Sequence, residues 1–211
     1  MKKLQILYED KNLIIINKPS NLLTISTETE KEKTLYHEVL EYLRKKNQKI
    51  FIVHRLDKET SGLIIFAKNP KTKERLQNDW NNVERYYVAL VENQITTKGE
   101  IKSYLKETKT HLTYSSKEGQ FAHTKYEPIK YNNKYTLLKI QILTGRKNQI
   151  RCHMKEINHP IVGDKKYGSN SNPLKKLCLT AYKLKFTHPI TKEELLIELP
   201  IPVEYETLLK K

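Results

Sequence analysis

The segment His54-Arg55-Leu56-Asp57-Lys58-Glu59-Thr60-Ser61-Gly62-Leu63 gathers charged and hydroxyl side chains between two apolar runs. Polar loops held by flanking strands are a common seat for reactive groups. A free aspartate has a pKa of about 3.9, so Asp57 is a carboxylate near neutral pH. Such a group can act as nucleophile, as general base or as partner to a cation. Spacing alone favours a plainer reading, in which Asp57 caps a turn with Thr60 and Ser61 and Arg55 is a surface charge. Two other chemistries fit less well. His153 and His159 are six residues apart, and no further Cys/His cluster completes the ligand set of a zinc site, so no metal is expected. Asp57 and Glu59 could form the carboxylate pair of a glycosidase, but a basic chain suits a polyanion better than a neutral sugar.

The elements that must hold this segment can be read from periodicity. Leu4 to Tyr8 and Leu13 to Asn17 read as a hairpin, and Lys18 to Lys33, with Pro19, as a loop. Leu35, Val39, Leu40 and Leu43 have helical spacing within Thr34 to Asn47, with Thr34 as N-cap. Phe51 to Val53 is a short apolar run, and Gly62 to Lys68 reads as a buried strand. Asn69-Pro70 opens a helix to about Trp80. Arg85 to Glu92, Glu100 to Leu105, Leu112 to Ser115, Ala122 to Ile129 and Tyr135 to Leu143 read as strands. A helix follows Thr144-Gly145, with Ile150, Met154 and Ile157 on one face and Pro160 as its stop. Ala181 to Thr187 and Leu195 to Leu199 are late strands, and Val203 to Leu209 is a short terminal helix. Strands with a few interspersed helices predict an α+β fold, with a mainly antiparallel, mixed, twisted sheet flanked by helices and loops.

The 211 residues are expected to form one domain, 1–211. Lys and Arg number 39 against 24 Asp and Glu, a net charge of +15. That excess attracts nucleic acid, an anionic membrane surface or an acidic protein. A generally lysine-rich surface would give the same total. Cys152 and Cys178 are far apart, with no C-x-x-C, which points to a reducing compartment. Met1-Lys2-Lys3-Leu4 begins like a signal peptide, but Glu9, Asp10 and Lys11 interrupt it. The longest apolar runs, Leu13 to Ile16 and Leu63 to Ala67, fall far short of the ~18 residues of a membrane span. A cytoplasmic protein with no membrane association is expected.

His-Arg-Leu-Asp-x-x-Thr-Ser-Gly-Leu at residues 54–63 resembles the catalytic motif of the RluA family of pseudouridine synthases. Further matches follow in the same order. They are Tyr87-Val88-Ala89, Ala122-His123-Thr124-Lys125-Tyr126 and Thr144-Gly145-Arg146-Lys147-Asn148-Gln149-Ile150-Arg151-Cys152-His153. His159-Pro160-Ile161-Val162-Gly163-Asp164 through Gly168 and Phe186-Thr187-His188-Pro189 complete the set, so the resemblance runs from about Leu7 to Leu199. It departs at Asn148 and at Thr180, where the family usually has His.

The resemblance implies an RNA pseudouridine synthase fold and activity, with ribosomal or transfer RNA as substrate and no cofactor. It implies Asp57 as catalytic carboxylate, Arg151 as its counter-charge and Tyr87 as the platform for a flipped uracil. Alternation alone places Tyr87, Ala89 and Val91 on one face and Tyr86, Val88 and Leu90 on the other, without choosing between the two tyrosines. Arg55, Arg146, Gln149 and Leu179 are implied RNA contacts, Arg55 as filler of the gap left by the flipped base. Arg44, Lys45, Lys46, Lys165, Lys166, Lys175 and Lys176 are candidate phosphate contacts, or simply solvated charges. A chain without an N-terminal S4 domain, acting as a monomer, is expected. A non-catalytic RNA-binding protein that keeps the fold is the remaining alternative.

Overall fold

Two apolar runs of the sequence, Leu13–Ile16 and Leu63–Ala67, have no solvent exposure at all, so both faces of the strands they form are covered. The computed structural model describes residues 4–28 and 30–210. The chain divides into two units, one of Met1–Val83 with Lys183–Leu199, the other of Glu84–Tyr182 with Pro200–Lys211.

In the first unit β1 (Ile6–Glu9) and β2 (Leu13–Lys18) form the expected antiparallel hairpin. The Asp10 carboxylate ties its turn by accepting from the Asn12 and Leu13 amides. Helix α1 (Leu35–Arg44) starts at Thr34, whose hydroxyl accepts from the His37 amide. That bond satisfies one of the free N–H groups of the first turn. Leu35, Val39 and Leu43 of α1 pack against Ile14, Ile16, Ile64 and Phe66. The short β3 (Phe51–Ile52) and β2 both pair antiparallel with β4 (Ser61–Ala67). Helix α2 (Pro70–Asn78) carries Pro70 at its start and is capped by Asn69, which accepts from the Thr72 amide.

The second unit is built on β5 (Glu84–Glu92), β6 (Gly99–Glu107), β7 (Thr113–Ser115), β8 (Gln120–Tyr131) and β9 (Tyr135–Ile142). They run in the order β5-β9-β8-β6-β7, each pair antiparallel. Helix α3 (Gln149–Glu156) covers one face, where Cys152 and Tyr167 pack against Leu105 and Ala122. Strand β10 (Leu179–Thr187) gives its first four residues to this unit, and its remaining five pair with β11 (Glu194–Glu198) in the first unit. Helix α4 (Val203–Leu209) closes the chain, with the Leu208 carbonyl accepting from the Asn132 side chain. Register fixes the faces. Tyr87 and Tyr126 both oppose Ile140, whereas Tyr86 and Lys125 both oppose Gln141.

The α+β, mainly antiparallel expectation holds, and the differences lie at element ends. Helix α1 stops at Arg44, three residues before the expected Asn47, which takes a left-handed conformation with φ 55°. Helix α2 ends at Asn78, and a separate 3-10 turn spans Trp80–Asn82. Helix α3 ends at Glu156, stopped by left-handed Asn158 (φ 61°) before Pro160 is reached. Asparagine tolerates this region better than other side chains. Strand β8 runs through Pro128, with a register shift between Pro128 and Lys130. No helix among the described residues is long and apolar enough to cross a membrane.

Candidate active site

Asp57 and Arg55 lie on the first unit's loop between β3 and β4, Asp57 half-buried and Arg55 exposed. The backbone around Asp57 is fixed residue by residue. On the N-terminal side, the Thr24 hydroxyl donates to the Leu56 carbonyl (2.7 Å) and accepts from the Leu56 amide (3.2 Å). On the C-terminal side, the Asp57 carbonyl accepts from the Thr60 amide at 3.2 Å, and Ser20 donates to the Glu59 carbonyl at 2.6 Å. His54 Nε2 accepts from the Ile65 amide at 3.0 Å, so its proton sits on Nδ1, and its ring lies 4.5 Å from that of Trp80. Gln77 of α2 donates to the Val53 carbonyl.

Lys18, at the end of β2, is fully buried beneath this loop. Its ammonium donates to the carbonyls of Leu22 (2.8 Å), Pro19 and Lys58 (both 3.1 Å), one acceptor for each N–H. Burial pushes its pKa down to about 8, against the pull of the Asp57 and Glu59 carboxylates, which favours the charged form. Neither Lys18 nor Thr24 was singled out in the sequence. By sequence Lys18 opens the polar stretch that follows the strand, whereas the structure makes it the last residue of β2, and nothing in the pattern points it inward.

Tyr87, Arg146, Gln149, Arg151 and Leu179 belong to the second unit. Arg151 is 5% exposed, on the first turn of α3. Its Nε and Nη2 donate to the two carboxylate oxygens of Asp164 at 2.7 and 2.8 Å, a planar fork-to-fork pair. Nη1 donates to Asn148 Oδ1 at 3.1 Å, and the guanidinium lies 5.1 Å from the Tyr167 ring centroid. The Asn148 departure therefore has a function: Asn148 sits in the left-handed region (φ 51°) at the N-cap of α3 and holds Arg151. Thr180 likewise meets the Tyr205 hydroxyl of α4 at 3.1 Å in a buried contact.

Gln149 makes four side-chain hydrogen bonds. Its Oε1 accepts from Thr144 Oγ1 and the Arg146 amide, and its Nε2 donates to the His123 carbonyl and Thr124 Oγ1. This network pins the Thr144–Lys147 loop to β8. It leaves Arg146 exposed, with Nε donating to the Phe121 carbonyl. Tyr87 shares its strand face with Arg85, whose guanidinium lies against Gly145 and reaches the Leu143 carbonyl at 3.5 Å. Burial lowers the Arg85 pKa, with Tyr87 acting in the opposite sense. Leu179 is buried at the start of β10. Asp164 and Tyr167 lie in the segment His159 to Gly168, whose sequence alone assigns them no role, and Arg85 carries no signal beyond its place two residues before Tyr87.

The family model described as RNA pseudouridylate synthase matches residues 12–156. An uncharacterized RNA pseudouridine synthase of Mycoplasma genitalium is 37% identical over 220 residues, covering 99% of this chain and 70% of that protein. The tRNA pseudouridine synthase C of Haemophilus ducreyi is 35% identical, covering 98% of this chain and 94% of that protein. Among solved structures, human RNA pseudouridylate synthase domain containing 4 superposes with a TM-score of 0.81 at 25% identity, covering 98% of this chain and 93% of that one. A match of this length takes in the Asp57 loop, Tyr87 and the Arg151 helix in one alignment, and the chain belongs to the RluA family of RNA pseudouridine synthases.

Proposed function

We propose that this enzyme isomerises uridine to pseudouridine in ribosomal or transfer RNA, with Asp57 as the reacting carboxylate. The supporting observation is the construction of the Asp57 loop: the backbone on either side of the carboxylate is tied down by Thr24, Ser20 and Lys18. Rigid placement of a reacting group converts binding into rate. In the reaction the N1–C1′ bond of uridine breaks, the uracil turns, and a C5–C1′ bond forms. C5 loses a proton and N1 gains one, so no redox partner is required. Asp57 initiates the exchange by attack on the sugar or the base, or by removing a ribose proton.

Tyr87 is the platform on which the extruded uracil lies, and its hydroxyl assists the transfer of the C5 proton. Arg151, oriented by Asp164 and Asn148, supplies the positive charge that keeps Asp57 ionised. Arg55 fills the gap in the RNA stack, and Leu179 gives an apolar wall to the uracil pocket. Arg146 meets phosphate. Gln149 serves RNA binding through the loop it holds. The reaction runs in one catalytic domain, 1–211, as a cytoplasmic monomer without metal or cofactor.

Single-turnover assays on transfer and ribosomal RNA test the reading. Asp57→Asn is expected to abolish pseudouridine formation while RNA affinity stays within about twofold, because an amide keeps the shape and loses the charge. Near-normal turnover in this variant would remove Asp57 from the mechanism.

A further inference from the structure

On β8 of the second unit, Ala122 and Thr124 point toward α3, where they meet Cys152 and Gln149. Alternation therefore turns Phe121, His123 and Lys125 to the opposite face. Register carries that face across the neighbouring strands: Tyr104 opposes Phe121, Lys102 opposes His123, and Tyr114 opposes Lys106. Three aromatic rings stand on it in solvent, Tyr104 at 52% exposure, Phe121 at 42% and Tyr114 at 41%. The Tyr104 and Phe121 rings meet edge to face with centroids 5.7 Å apart. Rings left in water on one face mark an interaction surface.

Next to the rings on the same face is a groove of about 490 Å³, whose lining includes Tyr86, Lys98, Lys125 and Gln141, together with Lys139 and Glu127, which pair with each other at 4.0 Å. Gln141 sits between Tyr86 and Lys125 in the register, so a ring, an amide and an ammonium form one row across three strands. Lys98 and Lys125 make no ion pair among the described residues, whereas Glu100 is engaged by Lys102 and His123. Residues 98–147 carry eleven Lys or Arg and four Glu, so the region is basic.

We propose that this face of β6, β8 and β9 is a docking surface for a single-stranded segment of the substrate RNA, on the side of the strands opposite Tyr87. The proposal rests on the reading of the chain as an RNA-acting enzyme. Bases stack on Tyr104 and Phe121, the groove takes a nucleotide with its base along Tyr86 and Gln141, and Lys98 and Lys125 meet the phosphates. Stacking is tolerant of sequence because every base offers a π-face, and lysines follow the backbone charge. A protein partner would meet the rings equally well but would leave the unpaired ammonium groups without phosphate.

The test uses the full chain and a fluorescein-labelled single-stranded RNA of mixed sequence, followed by anisotropy at fixed salt. Tyr104→Leu with Phe121→Leu keeps apolar bulk and removes the stacking faces. Lys98→Glu with Lys125→Glu reverses the charge. Phe121→Tyr keeps the ring, and circular dichroism confirms that each variant is folded. Each double variant is expected to bind about tenfold more weakly or worse, with Phe121→Tyr unchanged. On bulk transfer RNA the KM for pseudouridine formation rises while kcat holds. Unchanged RNA affinity in both folded double variants overturns the proposal, as does loss of self-association or vesicle binding in place of RNA binding. If the parent chain forms no pseudouridine yet the binding differences appear, the docking surface stands and the catalytic reading fails.

Discussion

Asp164 takes no part in bond making, yet Arg151 owes its orientation to it. The pair is buried, with side-chain exposures of 6% and 0%, so each charge relies on the other for what water would supply. Asp164→Asn leaves a buried guanidinium facing a neutral amide. Breaking one side of such a pair costs about 3–5 kcal/mol. Urea unfolding is expected to show a loss of that order, and the pseudouridine-forming rate should fall at least tenfold as Arg151 loses its two-pronged anchor. A parental unfolding midpoint would show that the pair carries no such weight. The sequence displayed Asp164 in a recognisable segment, but the pairing joins residues thirteen apart, across the end of α3 and a loop, and no periodicity reports such a contact. Resemblance alone singles out Gln149 in the sequence. Its four-bond role needed the fold, because its partners come from β8 and from the loop before α3.

Among the elements of the first unit, Glu9 is the shared fastener. It accepts from Lys68 just after β4 (2.7 Å), from Tyr42 on α1 (2.7 Å) and from Lys46 just beyond it (3.0 Å). Burial would raise its carboxyl pKa, yet the hydrogen bonds from Lys68, Tyr42 and Lys46 hold it down to about 2. The folded form therefore binds this proton less readily than the unfolded chain, whose value is near 4.5. The contribution is full above pH 4.5 and disappears as pH falls from about 4.5 to 2. Thermal melts across that window should decline less steeply for Glu9→Gln than for the parent, and parallel curves would refute the role. The elements themselves were largely readable, because caps at Thr34 and Asn69 and apolar runs at Leu13–Ile16 and Leu63–Ala67 act locally. Their ends were less so. Asn47 and Asn158 stop helices by adopting left-handed backbone, which asparagine permits but does not dictate.

For the molecule as a whole, a net charge of +15 makes RNA affinity a function of ionic strength. Each phosphate neutralised releases counterions, so log affinity should fall linearly with log salt, at a slope of about −0.7 per contact for single strands. A flat titration would show that the lysines are a general coat. The family was legible because its motifs are ordered along the chain, and the α+β class because strands predominate. The aromatic face was not, since Tyr104, Tyr114 and Phe121 share a side only once two strand registers are known. Thr24 has a consequence in time as well as in space. The Leu56 amide lies in a loop, where exchange with deuterium is ordinarily fast, but it is buried and donates to the Thr24 hydroxyl. Its proton should therefore exchange on the timescale of the neighbouring strands. In Thr24→Val it should be lost early, and mass spectrometry of the peptide spanning Leu56 would record how often the loop beside Asp57 opens.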